Sequence, residues 1–190
     1  MRPGGRMWVC LAHHPVLDRA GEIVTTSVTN LDVHDLARSG RTYGIAGLVV
    51  ASPVTAQLEL VEHVVSYWND PAHVRRIPGR REALALVKTC AAVPDSILLV
   101  ESLSGLRPVV IGTSARPGPG RTSHAALRRS IREDPSIPRL LLLGTGWGLA
   151  PEILDSCDAV LAPVEESSDY NHLSVRAAGA IILDRLLGST

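Results

Sequence analysis

Four consecutive leucines, Leu140 to Leu143, stand between Pro138 and the loop Gly144-Thr145-Gly146-Trp147-Gly148-Leu149. An apolar run this short, closed by turn residues at both ends, reads as a strand buried on both faces, the kind found in parallel sheets covered by helices. The three glycines after it let the backbone turn sharply and expose amides that side chains would cover. A second apolar stretch, Ala159 to Leu161, stops at Pro163 and releases a polar loop that leads into a long helix. Two loops leaving the C-terminal ends of neighbouring parallel strands form a crevice, the usual ligand position in open α/β sheets. A small-molecule site is expected there.

The rest of the chain alternates in the same way. Trp8–Ala12 reads as a first strand, followed by a loop or short hairpin around Asp18–Gly21. Thr29 and Asp32 have capping-box spacing and open a helix to about Thr42. Leu48–Ala51 is a second strand, after which Ser52 can cap a helix with Pro53 in its first turn. That helix carries Val54, Leu58, Val61, Val65 and Trp68 on one face. A polar connection over Asn69–Gly79 and a third helix over Arg80–Cys90 are expected next. Ile97–Val100 is apolar and reads as a further strand, Val109–Ile111 as a stronger one, and Ser123–Arg132 as a helix. The fold class is therefore α/β, a mostly parallel sheet with helices on both faces.

In the final helix, Leu173–Leu187, apolar residues point in every direction, with Asp184 and Arg185 as minor polar breaks. Such a helix is buried on all sides, so one side is expected to face the sheet and the other a partner subunit.

Composition narrows the class. With 190 residues and 45% hydrophobic content, the chain can bury a core as one domain over residues 7–190, preceded by a loose tail over residues 1–6. A net charge of zero announces no nucleic-acid partner through long-range electrostatics. The cysteines Cys10, Cys90 and Cys157 form neither a disulfide framework nor a metal-ligand spacing, and His13, His14 and His34 add none. No metal is expected. No segment reaches the length of a membrane span and no signal peptide is evident, so a cytoplasmic protein is expected. Among the 19 basic residues only Lys88 is a lysine. Arg75, Arg76, Arg80 and Arg81 cluster, as do Arg116, Arg121, Arg128, Arg129 and Arg132, in a manner suited to phosphate contacts or to a solvated helix face. With three tryptophans, three tyrosines and no phenylalanine, composition argues against a base-stacking platform.

Four segments in this order carry a family resemblance: TNLDVHDLARSGRTYG (Thr29–Gly44), VIGTSARP (Val110–Pro117), GTGWGL after LLLL, and DYNHLSVRAAGAIILDRL. Together they resemble the SPOUT superfamily of S-adenosyl-L-methionine-dependent RNA methyltransferases, in particular a bacterial group found alone or fused behind a tRNA guanine methyltransferase. The resemblance implies a C-terminal deep trefoil knot, which breaks the usual rule against threading. It also implies a homodimer, a tRNA or rRNA substrate, and a methyl donor bound bent among three knot loops. Carried over by position, the donor site draws on Thr113, Ser114 and Ala115 from the first loop. The second gives Gly144, Thr145, Gly146, Trp147, Gly148 and Leu149, and the third gives Pro163, Tyr170, Asn171, His172, Leu173 and Ser174. LARSGRTYG resembles the first SPOUT motif, which makes Arg38 the residue implied beside the transferred methyl, in its own or the partner's site. Ribose-methylating members carry an asparagine about two turns before that arginine, and Asn30 matches it only loosely.

Alternatives remain at this level. Asp35 and Arg38 are three apart on one helix face, which also fits a plain surface ion pair. Asp32, Asp35 and Asp169 are each able to act as base for a ring nitrogen. Gly144, Gly146 and Ala150 give G-x-G-x-x-x-A, close to the dinucleotide fingerprint, with Glu165 or Glu166 as a ribose-binding acid. A knotted domain that binds RNA or nucleoside without catalysis is the third reading.

Overall fold

The computed structural model describes residues 6–165 and 170–189, apart from the side chains of Ala72, Val74, Arg76 and Pro78. The elements run β1 (Met7–Ala12), β2 (Val16–Leu17), β3 (Ile23–Val24), α1 (Asn30–Tyr43), β4 (Gly47–Ala51) and α2 (Thr55–Asn69). They continue with α3 (Pro71–Arg76), α4 (Pro78–Leu84), β5 (Val87–Cys90), α5 (Val93–Ser104), β6 (Val109–Thr113) and α6 (His124–Glu133). The last are β7 (Arg139–Gly144), α7 (Pro151–Asp155), β8 (Ala159–Leu161) and α8 (Val175–Leu187).

Six strands form one sheet in the order β5-β4-β1-β7-β6-β8, every pair parallel, and β2–β3 is a separate antiparallel hairpin. Alternate side chains serve two cores, as the period of two requires. Val9, Leu11, Leu48, Val50, Leu141 and Leu143 pack with α1, α2, α4, α6 and α8. Trp8, Cys10, Val49, Ala51, Leu140 and Leu142 pack with α5 and α7. The leucine run is thus buried on both sides because each face has its own helical layer.

Several local readings change in the structure. The third helix ends at Leu84, and Val87–Cys90 is a strand paired with β4. The apolar spacing through Leu86 extends a helical pattern, but open backbone along β4 captures a β-branched segment. The polar connection before it contains the short helix α3. Ile97–Val100 belongs to helix α5, opened where the Asp95 carboxylate accepts from the Ala92 amide at 3.0 Å. Ser52 does not cap α2, whose N-cap is Val54; the Ser52 hydroxyl instead accepts from the Val54 amide at 3.3 Å. Thr29 caps α1 as expected, and Ser123, expected as the first residue of a helix, caps α6.

β7 and β8 are not neighbours, since β6 lies between them. This brings the loop after β6 into the same crevice. Leu161 of β8 is flanked by Thr113 on one side and Thr122 on the other, with the Thr122 amide donating to Val160 O at 2.8 Å. Residues 114–121 therefore form an arch that joins the two sides of β8. Beyond that arch, α8 packs between α1 and α6 over β7. A Cβ at Gly179 would lie 2.6 Å from Leu36 Cδ2, so glycine sets how closely α8 approaches α1. Much of the apolar circumference of α8 is covered within one chain: Ile182, Leu183 and Leu186 are buried, and Ala177, Ala178 and Ile181 half-buried.

Candidate active site

At the C-terminal ends of β6, β7 and β8 lies a cavity of about 1100 Å³. Its walls are three loops: Thr113–Pro117 after β6, Gly144–Gly148 after β7, and Tyr170–Ser174 before α8. Of the fifteen residues expected to bind the donor, Thr113, Ser114, Ala115, Gly144, Thr145, Gly146, Trp147 and Gly148 line it, as do Tyr170, Asn171, His172, Leu173 and Ser174. Leu149 and Pro163 do not: Leu149 is buried in the core on the α5 side of the sheet, and Pro163 is buried beside Ala162. Arg19, Thr26, Ser27, Thr29, Asp32 and Arg176 also line it, and of these the sequence offers only Asp32 as a candidate catalytic group.

The glycine loop is bent by backbone geometry. Gly146 and Gly148 have φ of +58° and +102°, the left-handed region that glycine tolerates. The Trp147 amide donates to Leu17 O at 2.8 Å and the Leu17 amide to Gly148 O at 2.9 Å, fastening the loop to the β2–β3 hairpin. A Cβ at Gly144 would fall 2.5 Å from the Leu149 nitrogen, so the cradle excludes any side chain there. Asn171 Nδ2 donates to Ala115 O at 2.9 Å and to Glu165 O at 2.8 Å, tying the third loop to the first. At the rim His172 lies edge-on between Trp147 and Tyr170, at 5.0 and 5.1 Å.

The Thr145 hydroxyl donates to Ala12 O at 3.0 Å and meets Thr26 Oγ1, which in turn sits 3.1 Å from His13 Nδ1. His13 is fully buried, and burial pushes its pKa down to about 4 against a smaller upward pull from Asp32. The imidazole is therefore neutral near pH 7 and serves as a fixed support for the loop.

Arg19, Asp32, Arg116 and Arg176 are the charged side chains that line the cavity among the described residues. Asp32 is the single carboxylate among the described lining residues, and it is buried. Arg176 Nη1 lies 3.0 Å from Asp32 Oδ1, while its Nε lies 3.5 Å from Asp35 Oδ2. Thr29 donates its hydroxyl to Asp32 Oδ2 and accepts from the Asp32 amide at 3.1 Å. The sequence pairing of Asp35 with Arg38 is not formed, because Asp35 turns to Arg176 instead. Arg38 is exposed on α1 and lies outside the cavity of its own chain. Asp169 and Glu166 lie outside the described residues. Arg176 was passed over in the sequence because it reads as one polar break in an apolar helix.

Other expectations are redistributed. Arg128 donates to Arg185 O at 3.0 Å and to Gly188 O, closing the end of α8 rather than waiting for phosphate. The three cysteines are free, and burial is the main force holding the thiols up, Cys10 at about 12 and Cys90 and Cys157 at about 11. Among the described residues no cluster of metal-binding side chains forms, and no helix is long and apolar enough to cross a membrane.

A roomy crevice built from glycine turns suits a nucleoside-sized ligand: its volume lies just above the ~300–1,000 Å³ typical for small-molecule sites. It does not suit a dinucleotide gripped at a helix N-terminus, since α7 after the glycine loop has only five residues. The geometry thus defines an α/β protein with a ligand site among three crossing loops. Comparison with known proteins gives the chemistry. The profile of the SAM-dependent RNA methyltransferase family matches residues 6–188, and the chain belongs to that family. A tRNA (guanine-N(1)-)-methyltransferase of Oleidesulfovibrio alaskensis is 43% identical over 187 residues, which cover 98% of this chain and 43% of that protein. The chain therefore spans less than half of that relative. An uncharacterised protein of Aquifex aeolicus is 36% identical over 180 residues, covering 95% of this chain and 87% of the relative. Among solved structures, the SpoU methyltransferase AviRb of Streptomyces viridochromogenes, in complex with AdoMet, superposes with a TM-score of 0.57 at 19% identity. That match covers 95% of this chain and 56% of AviRb, and it supports the SPOUT fold. The cofactor is S-adenosyl-L-methionine, and the dinucleotide reading is set aside.

Proposed function

We propose that the cavity at the ends of β6, β7 and β8 is the donor site and that the chain methylates a base of tRNA or rRNA. The observation that carries this reading is the pairing of a glycine-built cradle with one buried, fully hydrogen-bonded carboxylate on its wall. When bound, S-adenosyl-L-methionine supplies an electrophilic methyl group on a sulfonium. Gly144 to Gly148 give backbone close approach to the donor, and the Asn171 clamp closes the third loop over it. Asp32 faces the cavity and takes the proton that a ring nitrogen loses as it is methylated. Arg176 keeps that carboxylate oriented, and Thr29 holds its second oxygen. The Oleidesulfovibrio relative is named for transfer to guanine N1, which favours a base as the acceptor.

Arg38 acts on the acceptor from the partner subunit of a homodimer, as the first SPOUT motif suggests; it is exposed on α1, beside α8, where a second copy can reach it. A guanidinium does not readily give up its proton, so its task there is to orient the acceptor or its phosphate. The enzyme works in the cytoplasm, needs no metal, and folds as a single domain over residues 7–190. The name of the Oleidesulfovibrio relative makes tRNA the first substrate to try. Calorimetry against S-adenosylmethionine and NAD separates the readings: micromolar donor binding with no NAD heat supports the proposal, and the reverse overturns it.

A further inference from the structure

Two residues past Asp32, and so about 200° further round α1, His34 faces a different surface. There Tyr67 and His73 stack at 3.8 Å and 25° between ring planes. His73 Nδ1 donates to Tyr67 O at 3.0 Å, which fixes the ring. Trp68 stands edge-on to Tyr67 at 5.4 Å and to His34 at 6.0 Å. Arg80 lies 4.9 Å over the Trp68 ring and donates to His34 Nδ1 at 3.4 Å. Burial, and then Arg80, hold the His34 pKa below its ordinary value, so the ring is a neutral acceptor for that guanidinium.

Trp68 packs against the core, but Tyr67 is 51% exposed, so core packing accounts for one aromatic ring and not the other. Arg80 is held by an indole face and an imidazole, with no carboxylate partner among the described residues. The nearby acids are engaged elsewhere: Asp35 with Arg176, Glu82 with Arg41 at 2.7 Å, and Glu62 with the Thr89 hydroxyl. An uncompensated cation locked in place beside an exposed π-stack is complementary to a phosphate next to an unpaired base.

We propose that Tyr67, His73 and Arg80 form a second RNA-contact surface, in which the Tyr67–His73 stack receives an unpaired base and Arg80 its phosphate. The surface rests on the reading of the substrate as RNA, and it places base stacking where composition alone argued against it. Helix α1 carries His34 of this surface and Asp32 of the donor cavity on different faces, so a single RNA can engage both sites.

The test is binding of unfractionated tRNA and bulk rRNA to the full chain by fluorescence anisotropy at several salt concentrations. Tyr67→Ala is expected to weaken RNA binding about tenfold or more, and Tyr67→Phe to keep it. Arg80→Gln is expected to weaken binding and to lower the salt slope by close to one contact. Both variants should raise KM for RNA with kcat nearly kept, and leave donor affinity unchanged. Unchanged RNA affinity in Tyr67→Ala, or loss that simply follows a lowered Tm, overturns the surface while leaving the methyltransferase reading intact. A variant that sediments at half the parental mass also overturns it, since the patch is then a subunit contact. Absence of RNA binding by the parent chain would remove the RNA reading itself.

Discussion

Replacing Gly146 with valine tests the donor cradle at its most constrained point. Gly146 has φ of +58°, and a Cβ there would lie 2.8 Å from Leu17 O and 3.3 Å from Thr26 Cγ2. The left-handed conformation costs an ordinary residue about 1–2 kcal/mol. The clash is with backbone oxygen, the same atom that accepts from Trp147, so the loop must leave the hairpin. That forfeits the Trp147-to-Leu17 and Leu17-to-Gly148 hydrogen bonds, each with a net contribution of about 0.5–1.5 kcal/mol. Together the loop loses about 2–5 kcal/mol of preference for its binding conformation, which raises the apparent Kd by at least about 30-fold. The sheet does not include this loop, so the core should stay folded. Calorimetry with S-adenosylhomocysteine reads the affinity, and circular dichroism checks the fold. Binding of Gly146→Val within about threefold of the parent would refute the assignment of this loop to the donor.

The remaining expectations concern charge and titration. Asp32→Asn keeps the shape of the carboxylate but cannot take a proton; transfer in a single turnover should fall by ~100-fold or more while donor affinity stays near that of the parent, and unchanged transfer would exclude Asp32 as the base. Arg38→Ala should slow transfer by a similar ~100-fold, and mixing it with an Asp32→Asn chain should restore activity if Arg38 serves the partner's site; no recovery in the mixture contradicts action across the dimer. Burial pushes the His13 pKa down to about 4 in the folded chain from an ordinary 6.5, so between those values the unfolded chain binds more protons. The stability that neutral His13 supports is complete above about pH 6.5 and is lost as pH falls toward 4, by up to about 3 kcal/mol. Urea unfolding at pH 7.5 and 4.5 should show a smaller drop in His13→Gln than in the parent, and an equal drop would contradict it.

Much of this was legible in sequence because the strongest signals were local. Leu140–Leu143 and the Thr29 cap depend on neighbours within a turn or a strand, and each stands where its pattern places it. The failures came where distant backbone decides. Val87–Cys90 follows a helical pattern and is drawn into the sheet by β4, while Ile97–Val100 gives no periodicity that separates strand from buried helix. The cavity was read from its glycines and its third-loop polar run, and thirteen of the fifteen residues expected there line it. Leu149 was misplaced because the loop turns once more and delivers it to the opposite core. Arg176 and the Thr26–Ser27 wall had no local signal at all: Arg176 meets Asp32 across 144 residues of chain, and Thr26 meets Thr145 across 119. The strand order with β6 between β7 and β8 was likewise invisible to periodicity, and it is what gathers three loops instead of two.

The central claim is methyl transfer to RNA from the cavity at the ends of β6, β7 and β8. The most direct measurement is incubation of the chain with S-adenosylmethionine labelled on its methyl group and RNA from cells lacking this protein, followed by mass spectrometry of the digested nucleosides. The account predicts label in one methylated base, abolished in Gly146→Val and strongly reduced in Asp32→Asn. A chain that binds the donor yet leaves every nucleoside unlabelled contradicts it and returns the protein to a binding role.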